Sequence, residues 1–139
     1  MLNYKKILYA TDLHGTCVNT LKRVIKFAAK FEAEVTVVHV IKANNMLYGY
    51  TAGISGDVDD CIERDAKKKF DEFIQETGFN SDCSHILKGN KVREILNYAD
   101  EEAIDVIIIN GQSHNIFSRM NSTEDCVINN AKCDVIILR

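Results

Sequence analysis

Asp105-Val106-Ile107-Ile108-Ile109-Asn110-Gly111 decides the fold class. Four β-branched aliphatic residues in a row, closed by polar residues and a glycine, are too short for a core helix. They are also too apolar for a strand with one wet face, so they predict a strand buried on both sides, as in a parallel sheet.

Upstream, Gly89-Asn90 opens a helix in which Val92, Ile95, Leu96, Ala99 and Ala103 share one face, with Asn90 placed to cap it. Downstream comes a polar loop from Gly111 to Met120. Ser122-Thr123-Glu124-Asp125 then has the form of a capped helix start, that helix runs to about Asn130, and Asp134 to Leu138 makes a last strand.

The amino-terminal half repeats the alternation. Lys5 to Thr11 reads as a buried strand with Asp12 at its carboxyl end. A helix from about Thr16 to Phe31 carries the stripe Leu21, Val24, Ile25, Ala28 and Phe31, and Glu34 to Ile41 is a strand dense in β-branched residues. Asn44 to Gly56 has no periodicity and predicts a mobile loop, with a short helical piece within it as the alternative. Asp57 to Thr77 is helical, with Cys61, Ile62, Ala66, Phe70, Phe73 and Ile74 on one face and Gly78 placed to end it, and Ser84 to Lys88 is a weak strand. Strict β-α alternation dictates an α/β fold: one doubly wound, five-stranded parallel sheet with helices on both faces. Ligands of such sheets bind beyond the carboxyl ends of the strands, at or near Asp12, Val40, Lys88 and Gly111.

The length of 139 residues accommodates one domain over 1–139. No aliphatic run approaches the roughly 20 residues that cross a bilayer, which argues against membrane association, and the first twelve residues lack the apolar core of a signal peptide, so the expected location is cytoplasmic. Five cysteines with no C-x-x-C pair read as reduced, mostly packing residues. A net charge of −3 gives no reason to bind nucleic acid, and Lys67-Lys68-Lys69, set among Glu63, Asp65, Asp71 and Glu72, reads as a solvated helix face.

Three passages in this order and spacing, Lys-Lys-Ile-Leu-Tyr-Ala-Thr-Asp-Leu at 5–13, Val-Thr-Val-Val-His-Val at 35–40 and Asp-Val-Ile-Ile-Ile-Asn-Gly at 105–111, resemble the universal stress protein family. The likeness extends through Ser122 to the terminal Cys-Asp-Val-Ile-Ile-Leu. It implies strand order 3-2-1-4-5, an adenine-nucleotide alpha hydrolase-like architecture, a homodimer, and one of two branches: one binds ATP, and the other, A-like branch does not.

ATP-binding members carry G-x2-G-x9-G-[S/T], whose glycines let backbone amides close on phosphates. Gly111 keeps the first position, His114 and Asn121 replace the second and third glycines, and Ser122 arrives about three residues early. The aspartate that touches nucleotide in binding members matches Asp12, and the residue whose backbone meets adenine matches Val40. Prolines common in the family are Ala10 and Asp134 here, in a chain without proline. The resemblance therefore implies an A-like, non-enzymatic stress-response protein with no cofactor, acting through protein partners. The alternative is an ATP-binding switch using Asp12, Val40, Gly111 and Ser122.

Other chemistry finds little support. His14 and His114 stand near the ends of adjacent strands, but without metal-ligand spacing. Gly111-Gln112-Ser113-His114-Asn115 lacks the second glycine of a nucleophile elbow. The third strand ends Ile86-Leu87-Lys88-Gly89, with no aspartate for a phosphoacceptor, and Asn121-Ser122-Thr123 has no export route to glycosylation. Val135, Ile136, Ile137 and Leu138 form an apolar edge strand followed by no helix. An edge of this kind invites pairing with a second copy, so these four are the expected dimer interface.

Overall fold

The computed structural model describes residues 2–13, 15, 17–42, 52–111 and 123–139. Five strands, β1 (Lys6–Ala10), β2 (Glu34–Lys42), β3 (Ser84–Gly89), β4 (Val106–Asn110) and β5 (Asp134–Leu138), alternate with four helices, α1 (Cys17–Ala29), α2 (Ala52–Thr77), α3 (Lys91–Glu101) and α4 (Thr123–Asn130). All strand pairs are parallel, in the order β3-β2-β1-β4-β5. This is the order that the resemblance implied.

Successive strand side chains point to opposite faces, so each strand feeds two cores. Ile7, Tyr9, Val37, Val106 and Ile108 pack with α1 and α2 through Leu21, Val24, Phe70, Phe73 and Ile74. On the other face, Leu8, Ala10, Val38, Val40, Ile107 and Ile109 pack with Ile95 and Ala99 of α3 and Val127 of α4. Ile7, Leu8, Leu21, Ile95 and Ile107 are all fully buried, each worth about 1.5–3 kcal/mol of transfer free energy. The helices divide between the faces because the chain winds from β1 toward β3, then returns past β1 to β4 and β5.

Asn90 caps α3 as expected, its side-chain oxygen accepting from the Arg93 amide at 3.0 Å. Gly78 follows α2 at φ 67°, the left-handed conformation that glycine adopts without penalty. Two expectations need correction. The helix expected from Asp57 begins at Ala52, so the predicted Asn44–Gly56 loop is helical over its last five positions, and 43–51 lie outside the described residues. Gly53 and Gly56 argued against helix locally, and the long helix that follows carries them cooperatively. In α1, Ile25 is exposed at 37%. The buried stripe turns instead through Phe27, whose ring lies 5.1 Å from Phe31 and 6.0 Å from Tyr4.

The base of the sheet is tied by side chains from distant sequence. Asp105 accepts from the Lys5 and Lys6 amides at 2.7 and 2.9 Å, bonds that lower its carboxyl pKa, and Tyr4 donates to Asp134 at 2.9 Å. At the edge, β5 is half-buried rather than bare. Ile136 and Leu138 reach the first core and Val135 and Ile137 the second, so helices placed earlier in the chain partly cover this strand.

Candidate functional site

The strand order reverses between β1 and β4, and the crevice beyond their carboxyl ends is the candidate site. The register pairs Ala10 with Ile109, so continuing it sets Thr11 level with Asn110 and Asp12 with Gly111. Two of the four expected residues thus follow the ends of the two strands that flank the reversal point.

Val40 enters from β2. The Thr11 amide donates to Val38 O at 2.9 Å, so Val38 and, two residues on, Val40 turn their backbone groups toward β1. Since β1 ends at Ala10, opposite Val38, the Val40 backbone faces the gap above it, while its side chain is buried in the second core. Ser122, the fourth expected residue, lies outside the described residues, as do His14, His114 and Asn121.

Thr11 organises the turn out of β1. Its hydroxyl accepts from the Leu13 amide at 3.1 Å, and Leu13 takes φ 61°, a left-handed value uncommon outside glycine. The Thr11 carbonyl accepts from His39 Nδ1 at 2.9 Å, and the His39 ring stacks on Phe70 at 6.3 Å. With its Nδ1 engaged in this way, His39 serves as a strut between β2 and the turn.

A second polar chain spans the reversal point and was not anticipated. The Tyr9 hydroxyl donates to Asn110 Oδ1 at 2.6 Å, and Asn110 Nδ2 donates to Thr20 Oγ1 at 3.0 Å. Tyr9 is fully buried, and burial pushes its phenol pKa well above the ordinary value, so it remains a donor. The available signal was a tyrosine in an aliphatic strand, whose hydroxyl must find a partner once buried.

Gly111 has a structural explanation. Its amide donates to Leu138 O at 2.6 Å, and a Cβ at this position would stand 2.7 Å from Ile137 Cγ2 and 2.8 Å from Arg139 Cγ. The glycine therefore lets β4 close against the end of β5. Gly111→Ala is expected to lower folding stability by about 1–3 kcal/mol in urea denaturation, because Ile137 is held in the second core. A stability equal to the native chain's would show that this closure does not need glycine.

Among the described residues, no activated nucleophile stands at the crevice. Cys17 opens α1, but burial, reinforced by the Asp12 charge, raises its thiol pKa, opposite to what a nucleophile requires. Burial likewise raises the Cys133 thiol pKa. All five cysteines are free; Cys61 and Cys126 are exposed, which departs from a mainly packing role. Among the described residues, no group of three or more His, Cys, Asp or Glu side chains could hold a metal ion. Lys88 lies away from the crevice at the β3 edge, paired with Glu63. Beside it, Phe70, Ile41 and Ile86 help line an open groove of about 470 Å³.

The profile of the universal stress protein family matches residues 3–139. This chain belongs to that family. Universal stress protein A homolog 2 of Coxiella burnetii is 31% identical over 144 residues, covering 100% of this chain and 97% of that protein. Among solved structures, UspA from Lactobacillus plantarum aligns over 100% of both chains at 21% identity with a TM-score of 0.79. A family member from Archaeoglobus fulgidus in complex with dAMP aligns over 99% of this chain and 100% of that one, at 23% identity and TM-score 0.65. These structures share the fold of this chain.

Proposed function

We propose that this protein is an A-like universal stress protein: a cytoplasmic homodimer that supports stress response and survival through protein partners, without nucleotide and without catalysis. The observation that carries this reading is Gly111. It alone keeps its place among the three glycines of the ATP-binding pattern, and its closure on Ile137 and Arg139 accounts for it without a phosphate. In the sequence, His114 and Asn121 replace the second and third glycines of that pattern, which let phosphate-binding amides approach closely, and Ser122 arrives about three residues early. The full-length likeness to an A homolog supports the same branch. Among the described residues, no helix is long and apolar enough to cross a membrane.

Dimerisation is supported by the backbone of β5. Leu138 O accepts from Gly111, so Leu138 and Ile136 turn their backbone groups toward β4, while Val135 and Ile137 turn theirs outward. Two copies related by a two-fold axis would pair these outward groups antiparallel.

The alternative, an ATP-binding switch, is favoured by the Val40 backbone facing the crevice near Asp12, and by the dAMP complex of the Archaeoglobus relative. Calorimetric titration with ATP and magnesium separates the readings. The expected result is no binding heat up to millimolar ATP and no nucleotide co-purifying by mass spectrometry. Micromolar binding would establish the switch instead.

A further inference from the structure

The chain carries 20 acidic and 17 basic side chains, yet α1 and the residue after it are basic on their outer surface. Lys22, Arg23, Lys26 and Lys30 are exposed, and Cys17–Ala29 contains no acidic residue. Lys22, Lys26 and Lys30 are four residues apart, about 6 Å per step, and like charges at that spacing repel. Three lysines elsewhere meet carboxylates: Lys69 with Asp65, Lys88 with Glu63, and Lys132 with Asp100. Among the described residues, no carboxylate lies within ion-pairing distance of Lys22, Lys26 or Lys30. Helical spacing also sets Ile25, exposed at 37%, and Ala29 along one border of the lysine row.

We propose that the outer face of α1 docks an acidic helix of a partner protein, its carboxylates four residues apart against Lys22, Lys26 and Lys30, and an aliphatic side chain against Ile25. The surface deepens the reading of a protein that acts through partners, and it rests on that reading. The physical grounds are an exposed row of three lysines with no ion-pairing carboxylate among the described residues, and its apolar border. A phosphate backbone has nothing to offer Ile25, and the net charge of −3 opposes a long polyanion. A single isoleucine buries too little area to anchor a helix in lipid.

The test uses a fluorescein-labelled helical peptide of about 20 residues, with glutamates every fourth position and leucines alongside, read by fluorescence anisotropy at low and physiological salt. The native chain is expected to bind it, more weakly as salt rises. K22E/K26E/K30E is expected to lose at least tenfold in affinity and Ile25→Ser several-fold. K67E/K68E/K69E makes the same change of net charge on α2 and is expected to stay within about twofold. Circular dichroism checks folding, and K22Q/K26Q/K30Q replaces the first variant if that one is unfolded. Equal losses in the α1 and α2 variants, no binding by the native chain, or tighter binding to single-stranded RNA or phosphatidylglycerol vesicles than to the peptide would each overturn the proposal. An ATP titration on the same preparation reports separately on the nucleotide-free reading.

Discussion

Ile137→Pro is expected to sediment as a folded monomer, and the native chain is expected to sediment as a dimer. The Ile137 backbone turns away from β4, so proline there removes an outward N–H without breaking the internal ladder. In a two-fold pair the loss occurs twice, and each copy also strands an acceptor on its partner. Together these weaken the dimer by about 2–4 kcal/mol, roughly 30- to 1,000-fold in dissociation constant. Ile136→Pro is the internal control: its backbone faces β4, so the cost falls on folding instead. Lysine substitutions would discriminate poorly, since both side chains pack in the chain's own cores. Analytical ultracentrifugation with thermal denaturation reads both effects. A dimer of native affinity in Ile137→Pro would move the interface away from β5.

Asn110→Leu and Tyr9→Phe are each expected to destabilise the fold by about 1–3 kcal/mol, and together by much less than their sum. Asn110→Leu takes from the buried Tyr9 hydroxyl the oxygen that accepts its proton, and Tyr9→Phe takes from Asn110 its donor. Replacing both leaves two apolar side chains of similar shape and no broken Tyr9–Asn110 bond. The coupling energy of this double-mutant cycle, measured by urea denaturation, should therefore exceed about 0.5 kcal/mol. Additive losses would mean that the 2.6 Å bond adds nothing to stability. The consequence reaches the site because Asn110 immediately precedes Gly111 and also holds Thr20 in α1. The network thus ties the walls of the crevice together.

Element type was legible wherever one local signal acted alone. Val106–Asn110 could only be a buried strand, Asn90 only a cap, and Asp134–Leu138 falls at the bounds read from its composition. The start of α2 was not legible, because Gly53 and Gly56 weaken helix locally while the helix beyond them propagates through. Asp12, Val40, Lys88 and Gly111 were placed at or near strand ends from sequence. Asp12 and Gly111 follow the two strands that flank the reversal and the Val40 backbone turns toward it, whereas Lys88 lies at the far β3 edge.

Strand alternation, the α/β class and the family pattern follow from hydrophobic period and local turn chemistry, which act over a few neighbouring residues. What tertiary structure decided lies between residues far apart in the chain. Tyr9 meets Asn110 across 101 positions, Thr20 meets Asn110 across 90, and Gly111 meets the end of β5. No local propensity encodes those meetings. They arise because parallel strands bring distant segments to one level, where a buried hydroxyl must find a partner and a Cβ must find room.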